Sequence, residues 1–405
     1  MARLSKEELE SIKNKYNVSR IWSWSRVNCF NNSSYEYYLK YILRKQEDRS
    51  DSIYLSLGSA AHECLEDFYM GKIKFEEMSE CFDDNWMTCY DISQLKFDRS
   101  DETKNETIAS KYHDNLVHFF KHHTPIKHKV LIEKPITIKV GSNIFVGYID
   151  LTYKDDEGCY HIIDHKTSSL YKGAKADKEC GQLVLYGMGL HQAGVPLDKI
   201  KIGWHFMKYA TIQYQQKNGA VKTRDVERSK IGESLQSNAK MWLKTCGYTE
   251  DEIDVYLKLL LDTNSIDVLP DEVQSKYVIS DCFVYIDLTD KLINHWTDYI
   301  IATIRDIAAR ELDYKEDCND LVWWDSEESI KQQSYYFANL CGYSAQLHKP
   351  YAAYIEKLDQ EKQGNNLFAN VGIECEDYVE SAQTGNVICN NKDDLDLSWL
   401  NDLGL

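Results

Sequence analysis

The stretch that decides the fold is GYIDLTYKDDEGCYHIIDHKTSS, which spans residues 147–169. Strand-like apolar runs lie on both sides of the turn DDEG, so the stretch predicts a β-hairpin. The hairpin brings Asp150 and Asp164 to the ends of adjacent strands. Lys166 lies on the same side of its strand as Asp164, because strand side chains alternate between the two faces of a sheet. The sequence therefore predicts two carboxylates and an ammonium group in one place.

Two carboxylates and a lysine form a set that can act on a phosphate ester. Carboxylate oxygens are hard ligands that suit Mg²⁺ and Mn²⁺. Such a set can hold a metal ion, position a water molecule beside it and stabilise a pentavalent phosphate. The pattern therefore favours hydrolysis of a phosphodiester. The alternative is that Asp-x-Lys is a solvated strand end, since so short a pattern also arises by chance.

The sequence around the hairpin predicts an α/β core with a mixed sheet. A helix from Ala60 to Met70, opened by Gly58 and Ser59, precedes the strands. The order helix, three strands, helix, strand is typical of α/β folds. The predicted strands are 129–140, 143–154, 159–164 and 201–210, the helix between the last two is 174–193, and a later long helix is 285–313.

Composition disfavours several classes of protein. The chain has 405 residues, 43% of them hydrophobic, and a net charge of −18. That charge argues against a protein that binds nucleic acid over its whole surface, although eight Lys or Arg residues lie between Lys199 and Lys230. No apolar run is long enough to cross a membrane, and the polar start is unlike a signal peptide. We therefore expect a cytoplasmic protein of a bacterial or phage-infected cell, with no membrane association.

Two sequence motifs that are absent disfavour further classes of protein. The twelve cysteines contain no CxxC pair, so a zinc finger and a disulfide framework are both disfavoured. No GxxxxGK[ST] loop is present. An ATP-driven motor activity is therefore not expected in this chain.

Further candidate residues lie before and after the hairpin. His62 lies on the helix before the sheet, in the pattern Gly58-x-x-x-His62, and Glu133 lies on the first strand. Gln182 and Tyr186 lie on the helix after the hairpin, where their spacing puts both side chains on one helix face. Each has a simpler alternative: a satisfied histidine, a solvated glutamate or a helix packing contact.

The order and spacing of these residues resemble the RecB-like branch of the PD-(D/E)xK nuclease superfamily. That branch includes nuclease domains of bacterial recombination helicase-nucleases and CRISPR adaptation exonucleases. The likeness extends to WSWSRVNCFNNSSYEYYLKYI, residues 22–42, which looks like the lead helix of the family. It implies a restriction-endonuclease-like α/β core, with a mixed central sheet flanked by helices and with helical N- and C-terminal extensions.

The resemblance also implies a role for each candidate residue. His62, Asp150, Asp164 and the main-chain carbonyl of His165 would bind Mg²⁺ or Mn²⁺, as one ion or two. Lys166 would position the attacking water and offset charge on the phosphate. The residues expected to contact the substrate or support the carboxylates are Gln182, Tyr186 and Glu133.

One departure from the family concerns an iron–sulfur cluster. Many members of this branch hold one with four cysteines, of which one is in the lead helix and three are near the C-terminal end. Ser33 stands at the lead position, and only Cys341 is in place near the other end. Because thiolates are the ligands that such a cluster needs, no iron–sulfur cluster is expected. The aromatic residues expected to fill that volume are Tyr335, Tyr336, Phe337 and Tyr343.

Four segments are expected along the chain. They are a helical lead segment at 1–56, the PD-(D/E)xK nuclease core at 57–230, a mainly helical C-terminal region that packs on the core at 231–360, and an acidic flexible tail at 361–405. The tail ends in KDDLDLSWLNDLGL. This alternation of acids with Leu and Trp resembles short peptides that dock on a protein partner; the alternative is a solvated tail.

The function that the resemblance implies is a divalent-metal-dependent deoxyribonuclease, with exonuclease action expected. It would hydrolyse phosphodiester bonds of single-stranded DNA or duplex ends in recombination, repair or DNA degradation. A second hypothesis is a DNA-binding or scaffolding subunit of a recombination or replication complex, in which catalysis is dispensable. A third is a metal hydrolase for small phosphate esters. The presence of Asp150, Asp164 and Lys166 together favours the nuclease.

Overall fold

The centre of the computed structural model is a mixed β-sheet, and the structure describes residues 3–49, 53–98, 101–367 and 398–403. In chain order the strands are β1 Ile21–Trp22, β2 Val130–Val140, β3 Asn143–Lys154, β4 Tyr160–Lys166, β5 Ile200–Gln215, β6 Val221–Glu227 and β7 Tyr277–Ile286.

The predicted hairpin, β3 and β4, lies in the middle of this sheet. β2 pairs antiparallel with the outer side of β3, and β1 pairs parallel with its start. On the other side β4 pairs parallel with β5, which pairs antiparallel with β6 and β7. Consecutive parallel strands need a crossover connection, and the chain supplies a helical one between β4 and β5. The mixed sheet confirms the predicted fold class.

Helices cover both faces of the sheet. Among the described residues, no helix combines the length and the apolar character that a membrane span needs. The helices are α1 Lys6–Tyr16, α2 Trp24–Asn32, α3 Ser34–Tyr37, α4 Ile53–Tyr69, α5 Met78–Trp86, α6 Glu102–His122, α7 Ala174–Glu179, α8 Gly181–Gln192, α9 Ile231–Cys246, α10 Glu250–Thr263, α11 Asp271–Gln274, α12 Asp290–Asp317, α13 Glu327–Gln332 and α14 Lys349–Leu367.

The alternation of side chains along β4 separates two apolar cores. Ile162 is buried in a large cluster with residues of α8 and α12. The next residue, Ile163, packs in a cluster with Tyr69 of α4. Consecutive strand residues point to opposite faces, so α8 and α12 cover one face while α4 and its neighbours cover the other. A third cluster joins α9 and α10 to the second half of β5.

Two helices have different bounds from those predicted. α4 begins at Ile53 and passes through Gly58 without a break, because Ile53, Leu57 and Ala61 are buried at helical spacing. α12 begins at Asp290, where the Thr289 side chain caps it by accepting from the Leu292 N–H.

β7 is the main element that the sequence analysis did not identify. The predicted helix over 285–313 overlaps its end, and β7 lies within 231–360, the region expected to be mainly helical. Its pairing with β5 joins residues far apart in the chain, such as Gly203 with Tyr285. A strand whose partner lies so far away gives little local signal. The boundary at residue 230 remains a prediction, although the sheet extends beyond it.

Part of the C-terminal segment contacts the core. Most of the tail expected at 361–405 lies outside the described residues, but α14 extends to Leu367 and a 3₁₀ turn spans Ser398–Leu403. Leu400 and Leu403 are buried in the cluster that contains α8. The indole Nε1 of Trp399 donates to the main-chain carbonyl of Pro135 in β2 at 2.8 Å. These residues therefore contact the core, whereas the sequence predicts a flexible tail.

Ser33 joins the lead segment to the C-terminal region through polar contacts. Its hydroxyl donates to Asp325 Oδ2 at 2.5 Å and lies 2.9 Å from Nε2 of His348. Both partners are themselves buried. This network occupies the position where the resemblance would call for a cysteine ligand.

The aromatic residues expected in the same region divide into two groups. Phe337 and Tyr343 are fully buried, and the Tyr336 hydroxyl donates to Glu36. Tyr335 is 55% exposed. The expectation that Tyr335 fills this volume is therefore wrong, because its side chain points to solvent.

Candidate active site

Two neighbouring strands bring the predicted carboxylates together. β3 and β4 are antiparallel with Leu151 opposite Ile163, and one further step of this register sets Asp150 opposite Asp164. Residues directly opposite in an antiparallel pair point to the same face of the sheet. Lys166 shares that face, since it lies two residues after Asp164. We call His62, Asp150, Asp164 and Lys166 the front cluster.

Asp150 is a largely buried carboxylate that lies near a second carboxylate, that of Asp164. Its side chain is 14% exposed, its Oδ2 accepts the main-chain N–H of His165 at 3.0 Å, and the same oxygen lies 3.6 Å from Nδ1 of His62. Burial and the neighbouring Asp164 raise the pKa of Asp150 well above its usual range, and Lys166 offsets them only in part. The positive charge near Asp150 is therefore too small to offset its burial and the charge of Asp164.

Lys166 forms an ion pair with Asp164, with Nζ 2.6 Å from Oδ2. Burial works against the ammonium charge, but Asp164 and Asp150 outweigh burial and raise the pKa of Lys166 above its usual value. Lys166 therefore stays charged at neutral pH, which suits electrostatic stabilisation better than proton abstraction. Apart from this ammonium, the buried Oδ2 of Asp164 has no partner among the described residues.

α4 supplies the imidazole of the front cluster. The helix passes close to the end of β4, because a Cβ at Gly58 would lie 3.6 Å from Oγ1 of Thr167. Burial lowers the pKa of His62, although Asp164 and a hydrogen bond to the His165 main chain work in the opposite direction. A neutral imidazole carries the lone pair that a metal ion needs. The structure thus brings His62 to Asp150 and to the main chain of His165.

Gln182 and Tyr186 lie together on α8, as their spacing predicts. Nε2 of Gln182 donates to the Tyr186 hydroxyl at 3.0 Å. The Tyr186 ring fits against β3 only because residue 147 is glycine: a Cβ there would lie 2.4 Å from the ring. Burial and then the charges of Asp164 and Asp150 raise the pKa of Tyr186. The phenol is therefore neutral and close to both carboxylates.

Glu133 has an acidic neighbour that the sequence analysis missed. The β2–β3 register sets Glu133 opposite Asp150, and its positive φ of 50° distorts β2 locally. Burial raises the pKa of Glu133. Burial and then Glu133 raise the pKa of Glu66, on α4, to about 7. Glu66 lies one helical turn after His62, and that four-residue spacing is the sequence signal that could have identified it.

A second polar cluster lies on the face of the sheet that α4 covers, since its His123 contacts Tyr69 of α4. We call His123, His205, Asp281 and Arg228 the rear cluster. His165 links the two clusters: its main-chain N–H donates to Asp150, while Nδ1 of its ring lies 3.1 Å from Nδ1 of His205. No member of this cluster is among the site residues predicted from the sequence.

The rear cluster already contains its own counter-charge. Arg228 forms an ion pair with Asp281, and Nδ1 of His123 donates to the other carboxylate oxygen at 2.7 Å. Nε2 of His123 is also bonded, since it lies 2.9 Å from the Tyr69 hydroxyl. Burial would raise the pKa of Asp281, but its contacts with His123, His205 and Arg228 outweigh burial and lower it.

The two clusters differ in the charge that they would offer to a metal ion. Ligand atoms of His123, His205 and Asp281 lie within 4.8 Å of one another, yet Arg228 already neutralises this carboxylate. The front cluster instead has two carboxylates facing one ammonium. Hard oxygen ligands with an excess of negative charge suit Mg²⁺ or Mn²⁺.

Comparison with known proteins gives one match and one negative result. The model of the PD-(D/E)XK nuclease superfamily matches residues 21–320. This range includes every residue of the front cluster and also β6 and β7. A search of curated proteins found no match to the chain.

Proposed function

The chain belongs to the PD-(D/E)XK nuclease superfamily, and from that premise we propose that it is a nuclease that uses Mg²⁺ or Mn²⁺ to hydrolyse DNA. Metal-dependent nuclease activity is what the family suggests. Our finer proposal is a RecB-like exonuclease, without an iron–sulfur cluster, that acts on single-stranded DNA or duplex ends. Its place would be recombination, repair or DNA degradation in the cytoplasm.

The observation that carries this proposal is that two carboxylates, of Asp150 and Asp164, meet a single ammonium group, that of Lys166, in the front cluster. Asp150 has a raised pKa because it is buried next to Asp164, and Lys166 does not fully compensate. Two buried carboxylates on one face are costly unless a cation joins them. A divalent ion would relieve this cost and supply the Lewis acid that activates water and neutralises phosphate charge.

Each residue of the front cluster has a proposed role. Asp150, Asp164, His62 and the His165 carbonyl would hold the ion. The charged Lys166 would stabilise the negative charge that develops on the phosphate. Tyr186, held by Gln182, would orient a carboxylate or contact the substrate backbone.

The path of the DNA strand is proposed along β5 and β6, which carry much of the basic segment between Lys199 and Lys230. Trp204 does not contribute to it, because it is 1% exposed in the core. Tyr209 and Tyr214 are only partly buried and are the aromatic residues proposed to stack on bases.

A protein partner that docks the acidic C-terminal segment remains a separate proposal. The described part of that segment, Ser398–Leu403, contacts β2 of its own chain. A partner would therefore compete with this intramolecular contact for Trp399.

The direct test is DNA cleavage by the purified full-length chain. Labelled single-stranded and duplex DNA would be incubated with Mg²⁺, Mn²⁺ or EDTA. We expect cleavage with either metal, none in EDTA, and a loss on the order of 10²–10³ in rate for Lys166→Ala. Lys13→Ala is the matched control, because Lys13 lies on α1 and pairs with the exposed Glu10.

Two further results would separate the nuclease from the scaffolding subunit, and an exonuclease from an endonuclease. Unchanged cleavage by a folded Lys166→Ala variant would contradict the assignment of the cleavage to the front cluster. DNA binding by the wild type without cleavage in either metal would favour the scaffolding subunit. A covalently closed circular single strand tests whether cleavage needs a free DNA end, because an exonuclease leaves it intact whereas an endonuclease opens it.

A further inference from the structure

α4 and α5 bring two cysteine side chains into contact. Sγ of Cys64 lies 2.9 Å from Sγ of Cys81, and the two residues are 17 positions apart in the chain. Both cysteines are free thiols. A disulfide has an S–S distance of about 2.05 Å, so bond formation requires an approach of roughly 0.9 Å.

Packing holds the two thiols in this arrangement. Leu65 and Phe82, the residues that follow the two cysteines, are both buried in one apolar cluster that joins α4 and α5. Asn85 adds polar contacts to both cysteines: its Nδ2 donates to the Cys81 carbonyl at 2.8 Å and lies 4.0 Å from Sγ of Cys64. The pair is therefore fixed by the helix–helix contact rather than by a loop.

The two thiols differ in access to solvent. Cys64 is fully buried, whereas Cys81 is only partly buried. A small oxidant in solution therefore reaches Cys81 first, and Cys64 is the thiol placed to react second. Cys246 and Cys318, by contrast, are exposed.

We propose that Cys64 and Cys81 form an oxidation site that reacts with a low-molecular-weight disulfide, such as oxidised glutathione, to give an intramolecular disulfide. The Cys81 thiolate attacks one sulfur of the small disulfide, which releases one small thiol and leaves a mixed disulfide on Cys81. The Cys64 sulfur, after losing its proton to solvent, then attacks Sγ of Cys81 and releases the second small thiol. The protein loses two electrons and two protons, and the small disulfide gains them.

The bond would tie α4, the helix that carries His62, to α5. It would close a short loop of the unfolded chain, and a loop of this length stabilises the folded state when native geometry is kept. The oxidised protein is therefore expected to unfold at a higher temperature than the reduced protein.

The test uses the full-length reduced protein and oxidised glutathione. Peptide mapping by mass spectrometry is expected to show a peptide containing Cys64 linked to one containing Cys81, with the loss of two hydrogen atoms. The thermal midpoint is expected to rise and to return to its starting value after reduction with dithiothreitol. These readouts do not require nuclease activity.

Two variants keep the proposal falsifiable. Cys81→Ser should abolish both the link and the thermal shift, whereas Cys246→Ser, the control at an exposed position, should leave both unchanged. Cys81→Ser is preferred to a change at Cys64, since it places the hydroxyl at the partly exposed position. Glutathione attached to Cys81 with no link to Cys64, or a thermal shift that persists in Cys81→Ser, would overturn the proposal.

Discussion

The front and rear clusters are linked through His165 and are built from similar groups, yet the pKa values of their aspartates shift in opposite directions. Each combines carboxylate, imidazole and a basic side chain. In the rear cluster the pKa of Asp281 is lowered, because its contacts with His123, His205 and Arg228 outweigh burial. In the front cluster the pKa of Asp150 is raised, because burial and Asp164 outweigh Lys166. Asp281 is paired with Arg228, whereas Asp150 is only partly compensated by Lys166.

This difference is the one expected between a structural ion pair and a binding site for a cation. A buried carboxylate that is paired and hydrogen-bonded holds elements together, and removing its partner is costly. A buried carboxylate with too little positive charge weakens the fold unless a ligand compensates it. Such uncompensated groups are typical of functional sites. The chemistry of this chain is therefore expected at the front cluster.

The largest effect is expected from Asp281→Asn, which removes the charge that pairs with Arg228. An unpaired buried guanidinium should lower the free energy of unfolding by about 3–5 kcal/mol. The measurement is chemical denaturation at neutral pH. Because the pKa of Asp281 is lowered in the folded state, its stabilisation is present above the ordinary pKa of aspartate and is lost as the pH falls through the lowered value. A variant as stable as the wild type would show that the rear cluster contributes little to the fold.

His62→Ala should weaken metal use without the same loss of stability. Loss of supporting groups around bound metals costs about 10- to 100-fold in affinity, and loss of a direct ligand should cost at least as much. The measurement is the Mn²⁺ concentration that gives half-maximal DNA cleavage. His191→Ala is a control, because Nδ1 of His191 contacts the Val195 carbonyl at the end of α8. If the Mn²⁺ concentration for half-maximal cleavage is unchanged in His62→Ala, His62 is not a metal ligand.

Asp150→Asn should abolish cleavage and yet stabilise the metal-free protein, by on the order of 1 kcal/mol. The pKa of Asp150 is raised in the folded state. The wild type without metal should therefore lose stability as the pH rises from the ordinary pKa of aspartate towards the raised value, and Asp150→Asn should lack this loss. Thermal unfolding in EDTA across this pH range checks both points. A less stable variant would show that Asp150 is already compensated.

The smallest effect is expected from Trp399→Phe, outside both clusters. The change keeps an aromatic ring but removes the N–H that donates to the Pro135 carbonyl. A net loss of about 0.5–1.5 kcal/mol is expected in the free energy of unfolding. Trp324→Phe is a comparison, since that indole is at the surface, 36% exposed. Equal effects at the two positions would show that the C-terminal segment does not contribute to stability.

The central hairpin and the front cluster could be predicted because their signal is local. Asp150, Asp164 and Lys166 lie within one hairpin, so the alternation of side chains is enough to put them on one face. The β3 bounds agree with the predicted strand for the same reason. His62 lies far from the hairpin in the chain and could be connected to it only through the family resemblance.

The rear cluster and β7 could not be predicted because they depend on contacts between distant residues. Asp281 is 158 positions from His123 and 53 from Arg228. Nothing near Asp281 in the sequence marks it as buried, and β7 acquires its register only from pairing with β5. Trp399 presents the same difficulty, since its partner Pro135 is 264 positions away. The polar composition of its surroundings predicts a mobile segment instead.

The most direct measurement is Mn²⁺ binding, by titration calorimetry, to the wild type, to Asp164→Ala and to His205→Ala. Our account predicts binding to the wild type and to His205→Ala, and its loss in Asp164→Ala, because the carboxylate of the rear cluster is already paired with Arg228. Binding that persists in Asp164→Ala and is lost in a folded His205→Ala variant would contradict the account and move the metal site to the rear cluster.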